Sequence, residues 1–376
     1  MSMSNKPFPD LLQKIERIIA KPLSRETRIF GLIIFIGLSS YYFITWRSVR
    51  VNLTDFPPMY AGARLLQANA NVYDIESQCR EQANIRPDLC MPFNHPPLLL
   101  PLISLISTAD YAASYRRWSL ILSVALLLCL VPSYLLSKNA DASIQMLLFF
   151  PIFISITQGQ DTVFLLLAIL CWALLLQMKK DFWSGLVLAL GLVKPHLVLL
   201  LAIPLLFSRF KAFLGFCLGG LAAVLFSWSL VGTQGLLGLI QITRLSATGT
   251  TFGVHHADMY SAVGIFARAG LSPYWVWPVF VLTLIGLSAL WRRYPFSTHT
   301  LSLSIVGMTF GAPHLLLHDL APLVIPLYLT HTYAPLLATF TILVFLGFGF
   351  PHIGVYLVMV TLATFLFWQI NRVTIK

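Results

Sequence analysis

Residues 182–207 read FWSGLVLALGLVKPHLVLLLAIPLLF, which are two short apolar runs separated by Lys194 and Pro195. Each run is shorter than the ~20 residues that a helix needs to cross a bilayer perpendicularly. Proline breaks or kinks a helix. We therefore expect two short or kinked helices here rather than one continuous span, with the lysine at the break.

The composition indicates a membrane protein. Of the 376 residues, 57% are hydrophobic and only 10% are charged, whereas a soluble domain has about 25% charged residues. So much apolar surface does not fit in one soluble core, and a polytopic membrane protein is the natural interpretation. The net charge is +11, but the basic residues lie mainly in short gaps between apolar runs. They therefore predict membrane orientation rather than nucleic-acid binding.

The apolar runs recur along the whole chain, at roughly 29–46, 118–137, 144–157, 162–178, 182–193, 196–207, 212–231, 273–291, 300–313, 315–330, 333–350 and 352–370. With a cytoplasmic N-terminus, strict alternation places most of the basic gaps inside, as the positive-inside rule requires. Fusing 182–207 into one span would put Arg292 and Arg293 on the wrong side. The pattern predicts an all-α polytopic fold of about 12 helices, with residues 29–376 as one transmembrane domain.

Residues 1–28 precede the first apolar run and are polar and basic. Leu11, Leu12, Ile15, Ile18 and Ile19 follow a helical spacing that makes one apolar face. This predicts a short amphipathic helix on the cytoplasmic membrane surface. The charged stretch is too long for a signal peptide, and the first apolar run has no small-residue cleavage site after it.

Two outer loops are predicted, at about 47–117 and 232–272, and long loops in compact proteins are often functional. The first loop contains helical candidates at 59–69 and 98–107 and also holds Cys79 and Cys90. These two cysteines can pair if the loop faces an oxidising compartment. Whether they do is left open by the spacing.

Asp55 follows the first apolar run in a chain with few acidic residues. Two interpretations of this carboxylate are open. Thr54 or Asp55 could cap a short helix that begins near Pro57 and Pro58, because proline is favoured in a first turn. Alternatively, Asp55 could do chemistry at the membrane surface on a substrate that water or lipid delivers there.

Three further polar groups fall on the outer side. Lys194 either reaches the head-group layer or supplies a point charge for a phosphate. The stretch 158–161, Gln-Gly-Gln-Asp, is a tight turn whose side chains could also bind sugar hydroxyls. His314 and His318 are four residues apart, so a helix would place them on one face. They are either structural or part of a site, and no further ligand pattern supports a metal.

Together these residues resemble polytopic glycosyltransferases of the GT-C class, and in particular glycosyltransferase family 87, the polyprenyl-phosphate-mannose-dependent mannosyltransferase-like proteins. The matching pieces, in family order, are Asp55-Phe56 with Tyr60, Asn71-Val72-Tyr73-Asp74, Pro96-Pro97-Leu98, Gly159-Gln160, Lys194-Pro195, and Pro313-His314 with Asp319-Leu320. Two positions depart from the family pattern. His95 replaces a frequent aromatic residue, and Asp161 replaces a frequent Asn.

The resemblance implies an inverting transfer of a sugar from a polyprenyl-phosphate donor to a lipid or glycan acceptor. Mannose is the sugar that it favours. It implies that Asp55 is the catalytic base. It also implies that the donor phosphate lies against Lys194, His314 and His318. The residues expected to bind the sugar or the acceptor are Tyr60, His95, Gln160, Asp161, His255, His256 and Asp319.

The expected surroundings follow from the same resemblance. Because the leaving group is a phosphate, neither a metal nor another cofactor is expected to be needed. The partners are the lipid-linked donor, the acceptor and the membrane lipids, without nucleic acid. The expected location is the bacterial plasma (inner) membrane, with the active site on the periplasmic or extracellular side.

Two other hypotheses stay open from the sequence. A transporter or flippase of a lipid-linked saccharide would also need a membrane fold with an outer polar cluster. However, transporters more often carry ionisable groups near the midplane within repeated halves, and no repeat is visible here. A family member that has kept only the scaffold is the third hypothesis.

Overall fold

The computed structural model describes residues 54–139, 143, 146–249 and 255–329. Within those ranges the chain is helical and contains no β-strand. The predicted all-α polytopic fold is therefore confirmed. The N-terminal segment 1–28 and the apolar runs at 29–46, 333–350 and 352–370 lie outside the described residues, so the count of about 12 helices stays a prediction.

The helices, numbered in chain order, are α1 (Pro57–Gln67), α2 (Ile75–Gln82), α3 (Leu100–Ile106), α4 (Tyr111–Ser137), α5 (Phe150–Gln158), α6 (Thr162–Gln177), α7 (Asp181–Leu188), α8 (Pro195–Ala202), α9 (Phe210–Ser246), α10 (Ala262–Arg268), α11 (Val276–Arg293), α12 (Thr298–Gly311) and α13 (Val324–Leu329). Several carry 3-10 extensions, at Pro97–Leu99 before α3, Ala189–Val193 after α7, Ile203–Phe207 after α8, Pro273–Trp275 before α11 and Leu317–Leu323 before α13.

Three helices in the described ranges are long and apolar enough to cross a membrane, by length and composition: α4, α9, and α11 with its 3-10 turn. They present large apolar side chains on their outer surfaces, such as Leu120 on α4 and Leu282 on α11, which are 65% and 66% exposed. Such outward apolar faces are typical of helices that contact lipid. The chain is therefore a membrane protein.

Helix α6 occupies the centre of the described structure. Its residues are buried nearly all round, including Leu165, Ile169 and Trp172, as expected for a helix that is apolar on every face. It packs against α4 and α7. Helix α7 in turn packs against α9, and Gly185 permits the close crossing, because a Cβ there would lie 1.7 Å from the Ala212 carbonyl oxygen.

The predicted break in 182–207 is confirmed. The 3-10 extension of α7 ends at Val193, Lys194 has a non-helical backbone, and α8 begins with Pro195. Proline suits a first helical position because an N–H group at that position has no partner within the helix, so its absence costs nothing. The lysine is thus held at a fixed point between two short helices.

The segment predicted as the first outer loop, 47–117, is described from residue 54 onward and is called the first outer segment below. It contains the two expected short helices, since α1 and the 3-10/α3 pair cover most of 59–69 and 98–107. Asp74 caps α2 by accepting from the Ser77 amide, 2.9 Å away. A Cys79–Cys90 disulfide closes the loop that follows. The cysteine pairing that the sequence left open is therefore present.

The predicted loop at 232–272 differs from the structure. Gly232 interrupts α9 with a φ of 64°, and the helix then continues to Ser246. The continuation packs on the first outer segment, because Gly238 lies directly against Tyr73. The stretch is helical as far as Ser246 because the apolar spacing of Leu239 and Ile242 stabilises a helix there.

Candidate active site

The turn between α5 and α6 is the centre of the site. Gly159 ends α5 in the left-handed conformation, with a φ of 74°, which glycine adopts without steric cost. A Cβ at this position would also lie 2.9 Å from Cβ of Phe56. The predicted tight turn at 158–161 is confirmed, and it requires glycine both for its backbone conformation and for its contact with Phe56.

Carbonyl groups of this turn and of Thr157, just before it, accept hydrogen bonds from three separate donors. These are Tyr115 Oη to Thr157 (2.6 Å), the Asp55 amide to Gln158 (3.1 Å) and Trp118 Nε1 to Gly159 (2.8 Å). Two of the donors come from α4, whose residues Tyr115 and Trp118 are completely buried. Helix α4 therefore holds the turn in place, and the turn holds the backbone of Asp55.

The side chain of Asp55 is fixed by the same turn. Its Oδ2 accepts from Nε2 of Gln160 at 3.0 Å, and the residue is half-buried. Helix α1 begins after Phe56, whose amide is bonded to Thr54 Oγ1 at 3.4 Å. The interpretation of Asp55 as a helix cap is therefore wrong, because its carboxylate points to Gln160 and not to the helix amides.

Five ionisable side chains form a buried charged cluster beside this turn. Lys194 is at its middle, with its Nζ 2.9 Å from Asp319 Oδ1 and 3.3 Å from Asp161 Oδ1. The contact with Asp161 is an ion pair outside hydrogen-bond geometry. A histidine lies at each end: His95 Nδ1 is 3.1 Å from Asp161 Oδ2, and His318 Nε2 is 3.4 Å from Asp319 Oδ1.

The charges of the cluster stabilise one another against burial. Burial would lower the pKa of Lys194, but the two carboxylates reverse this and hold it above its ordinary value. Burial would likewise raise the pKa of Asp161, but Lys194 and His95 hold it well below its usual range. Lys194 and Asp161 are thus both ionised, and the ammonium is shared between two anions.

Asp319 receives two further hydrogen bonds. Thr162 Oγ1 donates to its Oδ1 at 3.1 Å, and the Leu316 amide donates to its Oδ2 at 3.0 Å. The 3-10 turn Leu317–Leu323, which carries Asp319, packs against α5 and α6. Thr162 was missed by sequence reasoning, although its position directly after Asp161 at the start of α6 was a usable signal.

The predicted relation between His314 and His318 is wrong. His314 lies in the turn after α12, and His318 lies in the 3-10 helix that follows, so the two do not share one face of a helix. His314 instead contacts the ring of His196, with ring centroids 5.8 Å apart. Burial, partly opposed by the Asp319 carboxylate, lowers the pKa of His314 to about 4. His314 is therefore neutral at physiological pH.

Besides Asp161 Oδ1, two groups near the site are buried without a hydrogen-bond partner in the described part of the chain. They are Oε1 of Gln160 and Nε2 of His196. A buried polar atom without a partner costs about 1–3 kcal/mol. Gln160 Oε1 can accept from a substrate hydroxyl, whereas His196 Nε2 can contact a hydroxyl or, when it carries the ring proton, a phosphate oxygen.

His95 is held by the first outer segment. Its carbonyl oxygen accepts from Tyr73 Oη at 2.8 Å, and its ring stacks on Phe93 with centroids 5.7 Å apart. Its partner across the ion pair is Asp161. The two residues that depart from the family pattern are therefore in direct contact with each other.

The remaining predicted site residues have other contacts. Tyr60 is buried and donates its hydroxyl to the Thr108 carbonyl at 2.7 Å, which ties α1 to the loop before α4. His256 Nε2 lies 3.1 Å from the Ala247 carbonyl, and His255 is exposed. Their segment approaches the site through the Tyr260 amide, which donates to the Leu315 carbonyl at 2.8 Å. A role in sugar or acceptor binding stays a prediction for all three.

No group of three or more His, Cys, Asp and Glu side chains in the described ranges is arranged to hold a metal ion. The arrangement instead offers a half-buried carboxylate, Asp55, that the Gln160 side-chain amide holds in place. Next to it lie buried cationic and neutral hydrogen-bond donors.

Comparison with known proteins finds a family model that matches more than half of the chain. A family model of glycosyltransferase family 87 matches residues 93–326, which is well over half of the chain. The match includes the turn at 158–161 and all five members of the charged cluster, while Asp55 lies before it. No curated protein and no solved structure gave a match.

Proposed function

The chain belongs to glycosyltransferase family 87 and is a membrane glycosyltransferase, and on that premise we propose that it transfers a hexose from a polyprenyl-phosphate donor to a lipid or glycan acceptor, inverting the anomeric carbon. Mannose is the first sugar to test. The observation that carries the proposal is the hydrogen bond from Gln160 to Asp55, since it aims a carboxylate into the site beside the charged cluster.

Asp55 is the catalytic base in this proposal. The acceptor hydroxyl attacks the anomeric carbon while its proton passes to Oδ1 of Asp55. The bond from the anomeric carbon to the phosphate oxygen breaks, and its electron pair leaves with the polyprenyl phosphate. A positioned base of this kind contributes ~10²–10⁴-fold. One displacement gives inversion.

The leaving phosphate needs donors rather than a general acid, because a phosphate is already a stable anion. Lys194, His314 and His318 are the groups that we assign to it, since fixed donors at a developing charge are among the largest catalytic terms. Lys194 keeps its charge despite burial, and neutral His314 retains one ring N–H. Asp319 orients this end of the site through Lys194 and His318.

We assign the sugar and the acceptor to the side of the site on which Gln160 lies. Gln160 uses its amide nitrogen on Asp55 and leaves its oxygen without a partner in the described residues. A sugar hydroxyl that donates to this oxygen would remove the cost of the unpaired acceptor. Tyr60, His95, Asp161, His255 and His256 are the other candidates for this side.

A lipid-linked donor fits the exterior of the protein. The apolar faces of α4, α9 and α11 imply that lipid surrounds the site, so a polyprenyl chain can stay in the bilayer while its phosphate reaches the cluster. We place the reaction on the periplasmic or extracellular side of a bacterial plasma membrane, because the basic gaps between apolar runs favour the opposite side as cytoplasmic.

The test is transfer by the purified protein in lipid nanodiscs, with radiolabelled polyprenyl-phosphate-mannose and a membrane lipid extract as the acceptor source. We expect labelled product from wild type and a loss of ~10²–10⁴-fold in Asp55→Asn, with donor binding retained. Asp88→Asn, at an exposed position on the outer segment, is the matched control and should keep full activity.

The same preparation separates the alternative functions. A transporter or flippase would move labelled donor across a sealed liposome without forming product, and Asp55→Asn would not need to affect it. A scaffold protein would do neither. Equal transfer by Asp55→Asn and wild type would overturn the assignment of the base, while absence of any product from wild type would overturn the donor class.

A further inference from the structure

The charged cluster alternates in sign and ends in a histidine on each side: His95, Asp161, Lys194, Asp319, His318. With both histidines neutral, one ammonium and two carboxylates leave a formal charge of −1. Protonation of one histidine makes the cluster neutral, and protonation of both makes it +1. A donor phosphate is an anion, so it binds best after the cluster has gained protons.

His95 is the terminal histidine that a substrate can reach. Its side chain is 17% exposed, whereas the other four members of the cluster are 6% exposed or less. Nδ1 is engaged by Asp161 at 3.1 Å, which leaves Nε2 as the ring atom that can meet a ligand. Phe93 and Tyr73 hold the ring and the backbone in place.

We propose that His95, in its protonated form, binds the phosphate of the lipid-linked donor through Nε2–H and is a further catalytic residue of this site. The proposal rests on the proposed function and changes the role of His95 from a sugar contact to a phosphate contact. Lys194 alone is insufficient for the phosphate, because two carboxylates already share its charge.

The phosphodiester of the donor carries one negative charge and accepts a hydrogen bond from Nε2–H of His95. When the bond to the anomeric carbon breaks, its electron pair stays on the phosphate oxygen, and the phosphate gains a second charge. The hydrogen bond from His95 strengthens as this charge develops, while the acceptor proton goes to Asp55. His95 keeps its own proton.

Charged and titratable groups face His95 from several elements. Asp161 faces it from the turn between α5 and α6, and Lys194 lies on the other oxygen of Asp161. His196 on α8 and His314 in the turn after α12 also interact with it electrostatically. Asp161 therefore attracts an imidazolium at this position and Lys194 repels it, while His196 and His314 stay uncharged because burial lowers their pKa.

The experiment measures kcat/KM for polyprenyl-phosphate-mannose between about pH 5 and 8, the range in which histidine titrates. For wild type we expect kcat/KM to fall by about tenfold per pH unit on the alkaline side. His95→Gln should be about 100-fold slower at the acidic end and should lose this limb. His95→Lys, which keeps a cation, should recover part of the rate with the limb still absent.

His299→Gln is the matched control. His299 lies in the first turn of α12 and takes no part in the ion pairs that define the charged cluster. It should keep the wild-type profile. A His95→Gln variant that retains the alkaline limb would overturn the proposal, and so would a rate loss that is the same at every pH.

Donor binding supplies a readout that does not depend on turnover. In an Asp55→Asn background the donor is not consumed, and its phosphodiester does not titrate in this range. We expect its Kd in nanodiscs to rise with pH when His95 is present and to be constant in Asp55→Asn/His95→Gln. Transfer by wild type together with a pH-independent Kd would overturn the role of His95 and leave the proposed function standing. Absence of both transfer and binding would overturn both.

Discussion

The side-chain amide of Gln160 donates to Asp55 Oδ2 at 3.0 Å and joins residues that lie 105 positions apart in the chain. The same turn accepts the Asp55 amide at the Gln158 carbonyl. Asp55 is thus held at both its backbone and its side chain by one four-residue turn. Among the described residues only Oδ2 of this carboxylate has a hydrogen-bond partner, so in our proposal Oδ1 takes the proton of the acceptor.

Replacement of Gln160 by Ala should therefore lower kcat while the protein stays folded. A misplacement of a reacting group by about 1 Å can cost ~10²-fold, and we expect a loss of 10–100-fold in kcat with a smaller change in the KM for the donor. The measurement is steady-state transfer in nanodiscs. Gln177→Ala, at the exposed end of α6, is the matched control. An unchanged kcat in Gln160→Ala would contradict the role of this hydrogen bond.

Lys194→Met should destabilise the protein as well as inactivate it. The change leaves Asp161 and Asp319 buried together without their shared cation, and the removal of one partner from a buried ion pair costs about 3–5 kcal/mol. Thermal unfolding in detergent measures the loss of stability. Lys211→Met, at an exposed position at the start of α9, should unfold like wild type.

A second variant separates stability from chemistry at Lys194. Asp161→Asn combined with Lys194→Met removes one carboxylate along with the ammonium and should recover part of the stability. We expect no recovery of transfer, because the phosphate still lacks its cation. Full recovery of activity in the double variant would show that Lys194 serves only to neutralise the two carboxylates.

The break at 194–195 could be predicted from the sequence because its cause is local. A proline and a lysine between two short apolar runs determine where a helix can continue. The partners of Lys194 could not be predicted in the same way. Asp161 and Asp319 come from segments before and after it, and only the packing of Leu317–Leu323 on α5 and α6 brings them together.

The contacts of the aromatic residues at the start of α4 could not be predicted from their neighbours in the sequence. Tyr115 and Trp118 adjoin two arginines, a pattern typical of a membrane interface, yet both are buried and bonded to the turn. For His314 and His318, the relation expected from their spacing was wrong. Their spacing suits a helix, but Pro313 precedes a turn and a 3-10 segment, so the expected common face does not form.

Trp118→Phe should act on Asp55 from a distance. It keeps the ring in the core but removes the hydrogen bond from Nε1 to the Gly159 carbonyl, which leaves a buried oxygen without that donor. We expect a loss of about 1–3 kcal/mol in the free energy of unfolding and a lower kcat. Trp183→Phe, which changes an exposed tryptophan on α7, is the control and should change neither. A normal kcat in Trp118→Phe would show that the remaining bonds to the turn suffice.

Gly159→Ala tests the turn itself. The new Cβ would meet Cβ of Phe56 at 2.9 Å, and alanine would have to adopt a φ of 74°. The left-handed conformation alone costs roughly 1–2 kcal/mol in a residue with a side chain, and the contact would push Phe56, and with it Asp55, out of place. We expect a lower unfolding temperature and a loss of transfer.

Gly286→Ala is the matched control, because a Cβ there has no neighbour within 4 Å and Gly286 lies inside α11. Alanine is favoured by up to about 1 kcal/mol at such a helical position. Equal behaviour of the two variants would show that the geometry of the turn does not determine the position of the base.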